Sequence, residues 1–249
     1  MCIVAWNWQP LSACPLHLIG NRDEFYARPT KSLHWWNEEI LGGKDMQDGG
    51  TWMGVARGGK LAVLTNYRDP SQHRANVPSR GQLVADFLTK NHSLDIYLNH
   101  LSSVAHAYNP FNLLLFDGTN LKGFESRHAR VLEIRPGLGG VSNGDFFAPW
   151  PKLRNLTNQF QLSLKNGITE DRHFLSLLQN DIRAKDADLP QTGVDIDRER
   201  ELSACFIRTP AYGTRASSIV RIFDQTLFFT EQCFDSQGAT TLTQQSFSL

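Results

Sequence analysis

The sequence lacks the features of several large protein classes. Lys and Arg together number 25, as do Asp and Glu, so there is none of the basic excess that favours nucleic acid or an anionic membrane surface. No apolar run approaches about 18 residues, which predicts no transmembrane helix. No Lys or Arg precedes the first apolar stretch, so we expect no signal peptide. A cytoplasmic protein without membrane insertion is therefore expected.

Cysteine is scarce, and its spacing does not suggest metal or redox chemistry. The chain of 249 residues has four cysteines, at Cys2, Cys14, Cys205 and Cys233. None forms a C-x-x-C pair, so we predict no zinc site and no redox motif. With 41% hydrophobic residues the chain can build a core of its own, which argues against a disulfide framework. No convincing linker interrupts it, and we predict a single domain over residues 1–249 with no cofactor.

One cysteine stands at an informative position, directly behind the initiator methionine. Removal of Met1 would leave a thiol and a free α-amine on Cys2. The α-amine has a pKa of about 7.7–8.0 and can serve as a general base near neutral pH. A nucleophile paired with its own terminal amine is a known solution for splitting amide-type bonds. The alternative is that Cys2 is a small apolar residue opening a buried strand.

Hydrophobic patterning predicts an α+β protein. Short apolar runs bounded by turn residues predict strands at 2–8, 16–19, 51–56, 61–64, 112–116, 121–125, 130–134, 204–208, 217–223 and 227–233. Helical periodicity predicts helices near 83–88, 94–105, 152–161 and 169–180, the first behind a capping box of Ser79 and Gln82. The polar segment 183–201 predicts an exposed loop or flap. Hairpins dominate, so we expect mainly antiparallel sheets covered by paired helices.

Charged residues follow the second predicted strand, in the sequence GNRDE at residues 20–24. One interpretation is a solvated loop with a local ion pair. The other places these residues beside the N-terminus, where Arg22 would lower the thiol pKa of Cys2. Asp23 would then hold the α-amine by a charge-assisted hydrogen bond.

Three further residues are candidates for the same site. Asn66 and Asn143 follow apolar strands, and side-chain amides are suitable donors to a developing oxyanion. Both are equally typical of turns. Arg215, ahead of a late strand, is either a surface charge or a second cation at the site. The aromatic run 34–36 either lines a pocket for a flat apolar ligand or belongs to the core.

These motifs carry a resemblance along nearly the whole chain. NRDE at 21–24 behind Met-Cys is joined by GGTWMG at 49–54, LTNYR at 64–68, SN at 142–143 ahead of PWPK at 149–152, and YGTR at 212–215. The combination resembles the NRDE family, also called the transport-and-Golgi-organisation family. That family in turn is similar to the N-terminal nucleophile (Ntn) hydrolases of the penicillin-acylase and bile-salt-hydrolase type.

The resemblance implies a fold and a set of roles. The fold would be a four-layer αββα sandwich of mainly antiparallel sheets. Cys2 would be nucleophile and base, supported by Arg22 and Asp23. Asn66 and Asn143 would contact the oxyanion or substrate, and Arg215 would be the late cation. The acylases separate their early Arg and Asp by two residues, whereas here the two are adjacent.

Two functions follow as hypotheses. The first is an Ntn-type cysteine amidohydrolase that cleaves a non-peptide C–N bond of a small-molecule amide. The second is a non-catalytic haem- or lipid-binding trafficking protein on the same fold, in which Cys2 contacts the ligand. The sequence identifies neither the substrate nor the oligomeric state.

Overall fold

A computed structural model describes residues 1–249 and contains two antiparallel sheets. The strands are β1 (Cys2–Trp8), β2 (Leu16–Phe25), β3 (Thr30–Trp36), β4 (Ile40–Asp45), β5 (Met53–Ala56), β6 (Leu61–Asn66), β7 (Phe111–Phe116), β8 (Leu121–Glu125), β9 (Arg130–Glu133), β10 (Gly137–Val141), β11 (Tyr212–Ile222), β12 (Thr226–Asp235) and β13 (Gly238–Ser248). The helices are α1 (Gly81–Thr89), α2 (Leu94–Val104), α3 (Pro151–Lys165), α4 (Asp171–Leu178) and α5 (Ile196–Leu202). One sheet has the order β10-β1-β2-β11-β12-β13, and the other runs from β3 to β9 in sequence order.

Side chains alternate between the two faces of each strand, so the core consists of three main apolar clusters, one between the sheets and one beneath the helices on each side. In β1, Val4 and Trp6 lie in the cluster between the sheets, whereas Ile3 and Ala5 lie in the cluster beneath α3 and α4. Helices α1 and α2 cover the outer face of the seven-stranded sheet. The order of layers is therefore helices, sheet, sheet, helices. The predicted α+β class and αββα sandwich are confirmed.

Strand β1 lies inside its sheet, paired with β10 on one side and β2 on the other. The antiparallel register places Cys2 opposite Arg22 and Val4 opposite Gly20. A Cβ at Gly20 would stand 2.7 Å from the Ile3 carbonyl oxygen, so the strand needs glycine there. This pairing fixes the start of β1, and with it Cys2, against the charged end of β2.

Several local predictions are corrected by the structure. Residues 20–24 belong to β2 and do not form a loop. The segment 183–201 contains all but the last residue of α5, and residues 204–208 form no strand, although Arg208 makes one isolated bridge to Gly213. Strands β3, β4, β10 and β13 were not predicted. The capping box is also wrong, because α1 begins after Arg80 and no side chain caps it. No helix combines the length and the apolar character that crossing a membrane requires.

Candidate active site

A cavity of about 680 Å³ opens at the N-terminal end of β1. Six of its lining residues are Met1, Cys2, Arg22, Asp23, Asn66 and Arg215. Five of the six predicted site residues therefore share one cavity, and Asn143 does not line it. Only nine of the 37 lining residues are hydrophobic, so the cavity suits a polar ligand. No three His, Cys, Asp or Glu side chains are grouped so as to hold a metal ion.

Met1 is bound at both ends beside this cavity. Its ammonium group donates to the Asp23 carbonyl oxygen and, at 2.9 Å, to the Tyr212 hydroxyl. Burial lowers the pKa of this amine. The side chain packs against Leu202, Ile207 and Tyr212, and its sulfur lies 3.4 Å from Arg68 Nε. Met1 therefore forms part of the wall of the site.

Cys2 is only 4% exposed and joins the inter-sheet core while also lining the cavity. Burial raises the pKa of the thiol to about 11, against the opposing effects of the Met1 ammonium and Arg22. Arg22 lowers the thiol pKa, as the sequence predicted, but burial raises it by more in the chain that retains Met1; the activated thiol of the Met1-free chain stays a prediction. Desolvation of the thiolate outweighs the nearby cation.

Arg22 faces the cavity from the position opposite Cys2. Its Nη2 donates to Asp45 Oδ2 at 3.0 Å, and its Nη1 lies 3.5 Å from Thr30 Oγ1. Asp45 also accepts from Arg28 Nε at 2.6 Å. Glu24 Oε2 lies 3.9 Å from Arg22 Nη2, and Asp48 accepts from Arg28, so three carboxylates balance these two guanidinium groups at the cavity wall.

Asp23 is 1% exposed, and its two carboxylate oxygens differ. Oδ1 accepts from Thr214 Oγ1 at 2.7 Å, whereas Oδ2 is buried without a partner. Burial raises the pKa of this carboxyl, and Lys152 opposes the shift. The α-amine of Met1 binds the Asp23 carbonyl oxygen. The contact that the sequence predicts, between the Asp23 carboxylate and the α-amine of Cys2 after Met1 removal, stays a prediction. Oδ2 thus remains an open acceptor beside the N-terminus.

The two predicted amide donors lie in different environments. Asn66 lines the cavity at the end of β6. Asn143 is fully buried, and its Nδ2 donates to the Asn66 carbonyl oxygen at 2.9 Å. Its Oδ1 accepts from Ser142 Oγ at 3.3 Å, and Ser142 Oγ also reaches the Cys2 carbonyl oxygen at 3.2 Å. In this geometry Asn143 positions Asn66, while Asn66 faces the ligand space.

Arg215 lines the cavity, but carbonyl oxygens occupy much of its guanidinium group. Nε donates to Phe234 at 3.0 Å, and Nη1 lies within 3.1 Å of the carbonyl oxygens of Phe25, Tyr26 and Arg28. It therefore holds the turn after β2 against β12. This supporting role adds to its position at the cavity.

Sequence reasoning missed several polar residues around Cys2. Lys152 is buried, and burial followed by the charge of Arg68 lowers its pKa to about 8. Glu231, also buried in the cavity wall, accepts from the Leu33 amide at 2.7 Å. Lys152 and Arg68 fall inside the PWPK and LTNYR segments, so a signal was present for them. Glu231 gave none, because an acid in a strand resembles a solvent-facing residue.

Comparisons with known proteins agree with this architecture. A sequence profile described as "Transport and Golgi organisation 2" matches residues 1–236. The chain is 34% identical to the Transport and Golgi organization protein 2 homolog of Bos taurus, covering 99% of this chain and 93% of the relative. The homolog from Homo sapiens matches at the same identity and the same coverage of both chains. The Drosophila melanogaster protein is 27% identical, covering 89% of this chain and 88% of its own length.

A solved structure is similar in fold. The crystal structure of the C2A mutant of a conjugated bile acid hydrolase from Clostridium perfringens superposes with a TM-score of 0.55. The match covers 100% of this chain and 96% of the other at 9% sequence identity. At that identity the likeness concerns the fold, which is that of the Ntn hydrolases.

Proposed function

The chain belongs to the Transport and Golgi organisation 2 family, and from that premise we propose an Ntn-type cysteine amidohydrolase that becomes active when Met1 is removed. One observation carries the proposal. Cys2 opens β1 at the wall of a polar cavity, directly opposite Arg22 and beside the unpartnered Oδ2 of Asp23. A new α-amine on Cys2 would find that oxygen as its acceptor.

The chemistry uses groups that this chain provides. The Cys2 α-amine takes the thiol proton, and the sulfur attacks the carbonyl carbon of a non-peptide amide. Asn66 donates to the oxyanion that develops on the carbonyl oxygen. The C–N bond breaks, the departing amine takes the proton, and an acyl-thioester remains on Cys2. Water then cleaves the thioester and restores the thiol.

A second candidate is a carrier of haem or a lipid-like molecule. This function would suit a chain that retains Met1, because there the Cys2 nitrogen is a peptide amide and burial raises the thiol pKa to about 11. That form has no α-amine on Cys2 to take the thiol proton. The mostly polar cavity lining favours a small polar amide over a large apolar ligand.

The test compares two forms of the protein that differ by one residue. The chain beginning at Cys2 is released from a cleavable fusion, the chain retaining Met1 is made with methionine aminopeptidase inhibited, and intact mass verifies both. A panel of chromogenic N-acyl anilides is then assayed. We expect release of the aniline by the Cys2-first form alone, loss of release in Cys2→Ser, and no change in Cys14→Ser.

Other outcomes have distinct meanings. No turnover by the Cys2-first form, together with thiol labelling no faster than that of Cys14, contradicts the hydrolase. Equal binding of haem or a fatty acid by both forms, without turnover, supports the carrier.

A further inference from the structure

Met1 must be removed for the proposed catalysis, and the contacts of Met1 show which kind of ligand its pocket can bind. We propose that the pocket filled by Met1 is a binding site for a primary amine on a short unbranched chain, forming one flank of the ligand next to Cys2. The inference rests on the proposed function only in that Met1 must be absent from the working protein. Amine binding can be measured without any hydrolysis.

The polar end of the pocket offers two acceptors to the N–H groups of a primary amine. The Asp23 carbonyl oxygen and the Tyr212 hydroxyl accept from the Met1 ammonium, and the Asp23 carboxyl lies close enough to interact with its charge. Tyr212 is 5% exposed and Asp23 is 1% exposed, so these acceptors are fixed in the protein interior. A hydrogen bond to a charged donor in such a setting is stronger than one at the surface.

The other end accepts a linear apolar chain. Leu202 and Ile207 are buried and form one cluster with Tyr212, against which the Met1 side chain packs. Arg68 closes this end with Nε against the thioether sulfur. Its guanidinium is held by Glu199 at 2.6 Å and lies over the Trp150 ring at 4.9 Å, so the wall is rigid.

The charges at the two ends define the orientation of a ligand. Two acceptors hold an amine at the Asp23 end, and the Arg68 cation repels a positive charge at the other end, so the chain of the ligand points toward Arg68. Met1 itself lines the main cavity, so its departure joins the pocket to the space in front of Cys2. A ligand can then place its amine in the pocket and its reacting group at the Cys2 sulfur.

The probe is 3-(methylthio)propylamine, which keeps the ammonium, Cα and side chain of Met1 but has no carbonyl to collide with the Cys2 nitrogen. n-Pentylamine replaces its sulfur with a methylene group. Pentan-1-ol lacks the ammonium, and methylamine lacks the chain. Binding is measured by calorimetric titration on Cys2→Ala chains with and without Met1, which removes catalysis from the comparison.

We expect both long amines to bind the Met1-free chain and to bind the Met1-retaining chain at least about tenfold more weakly. Pentan-1-ol and methylamine should each bind the Met1-free chain at least about tenfold more weakly than n-pentylamine does. Pentan-1-ol lacks the amine and methylamine lacks the apolar chain. Tyr212→Phe should weaken amine binding by about tenfold. Tyr97→Phe is the matched control, since its buried hydroxyl donates to the Leu83 carbonyl in α1, away from the site.

Equal amine binding with and without Met1 overturns the inference, and so does no binding to the Met1-free chain. Pentan-1-ol binding as tightly as n-pentylamine overturns the ammonium site. If Tyr212→Phe does not fold, the binding of the four probes to the Cys2→Ala chains with and without Met1 still tests the inference. Failure of the hydrolase assay leaves these outcomes unaffected, because the binding chains carry no nucleophile.

Discussion

The reactivity of Cys2 depends on how three influences balance around one thiol. Burial raises its pKa to about 11 in the Met1-retaining chain, while the terminal ammonium and Arg22 oppose the rise. We expect removal of Met1 to hydrate the thiol and lower the pH midpoint of its alkylation. Arg22→Met should raise that midpoint, because it removes a nearby cation and keeps much of the volume. Mass spectrometry of iodoacetamide labelling against pH measures both, with Cys14 as internal reference; identical profiles for the two forms contradict the expectation.

The two asparagines have different roles in the proposed reaction, and their substitution should separate them. Asn66 faces the cavity, so Asn66→Ala should lower kcat by about 10²–10³ with a small change in KM. Asn143 holds the Asn66 carbonyl oxygen, so Asn143→Ala should also lower the free energy of unfolding, by about 1–3 kcal/mol. Steady-state kinetics with the best anilide and urea unfolding give the two readouts. A fall in kcat for Asn143→Ala alone would reverse the assignment.

Among the elements, α5 depends on one buried ion pair. Glu199 holds Arg68 at 2.6 Å and accepts from the Thr192 amide at 3.1 Å, and the side chains of both ion-pair partners are 4% exposed. Glu199→Gln leaves a buried guanidinium without its counter-charge, a change that costs about 3–5 kcal/mol. We expect faster limited proteolysis within 183–195 and weaker packing around Met1. Glu201→Gln, which loses a partly exposed pair with Arg198, is the control and should change the free energy of unfolding by about 0–1 kcal/mol. Equal proteolysis rates for the two variants would contradict this role.

Strand β2 carries a buried imidazole that should make stability depend on acid. His17 lies edge-on to Phe160 and Phe174, with ring centroids at 5.0 and 4.7 Å. Burial, helped by Arg221, lowers its pKa from 6.5 to about 3. The stability it contributes is therefore complete above pH 6.5 and is lost as the pH falls toward 3. His17→Leu should flatten the pH dependence of urea unfolding in that range, whereas His100→Leu on the exposed face of α2 should not. If the free energy of unfolding of His17→Leu falls with pH as steeply as that of His100→Leu, His17 is not the cause of the pH dependence.

The elements also show where sequence patterns succeed and fail. Strands β1, β6 and β7 contain apolar runs of four or more residues next to turn signals, and the sequence predicted them together with β5 and β8. In β2 the polar residues of the NRDE segment look like a loop in the sequence. They can be buried in a strand because they find partners in distant segments, as Asn21 Nδ2 does by donating to the Leu178 and Cys205 carbonyl oxygens. Strand β10 is rich in glycine, and glycine is typical of turns, so its sequence does not predict a strand. Glycine is needed at Gly139 because a Cβ there would collide with the Trp6 ring. Strand β13 is an edge strand mainly of Thr, Gln and Ser, and none of its residues is fully buried, so it shows no apolar alternation.

At the scale of the molecule, distant segments form the site, and this limits what a sequence can predict. The antiparallel pairing of β1 with β2 brings Arg22 and Asp23 to Cys2, as expected from their place after an apolar strand. The balance between burial and charge at the thiol depends on the whole assembled core, so no local pattern could give its sign. The position of Asn143 behind Asn66 depends on the meeting of β6 with the segment after β10. Residue types were predictable here, while their order around the cavity was not.

The prediction of one domain over residues 1–249 leads to a test of cooperativity. The largest apolar cluster takes side chains from both sheets, among them Leu18 and Leu114, which are fully buried. Because each sheet covers the other's inner face, neither should remain folded alone. Leu18→Ala and Leu114→Ala should each lower the free energy of unfolding by about 2–5 kcal/mol in a single transition with an unchanged denaturant slope. Leu242→Ala on β13, where the side chain is 53% exposed, is the control and should change the free energy of unfolding by less than about 0.5 kcal/mol.

Two probes test whether the chain unfolds as one unit. Circular dichroism and tryptophan fluorescence, to which Trp6 and Trp52 of this cluster contribute, should report coincident midpoints. Two separate transitions, each sensitive to only one of the core substitutions, would show that the sheets fold independently and that the chain has two cooperative units.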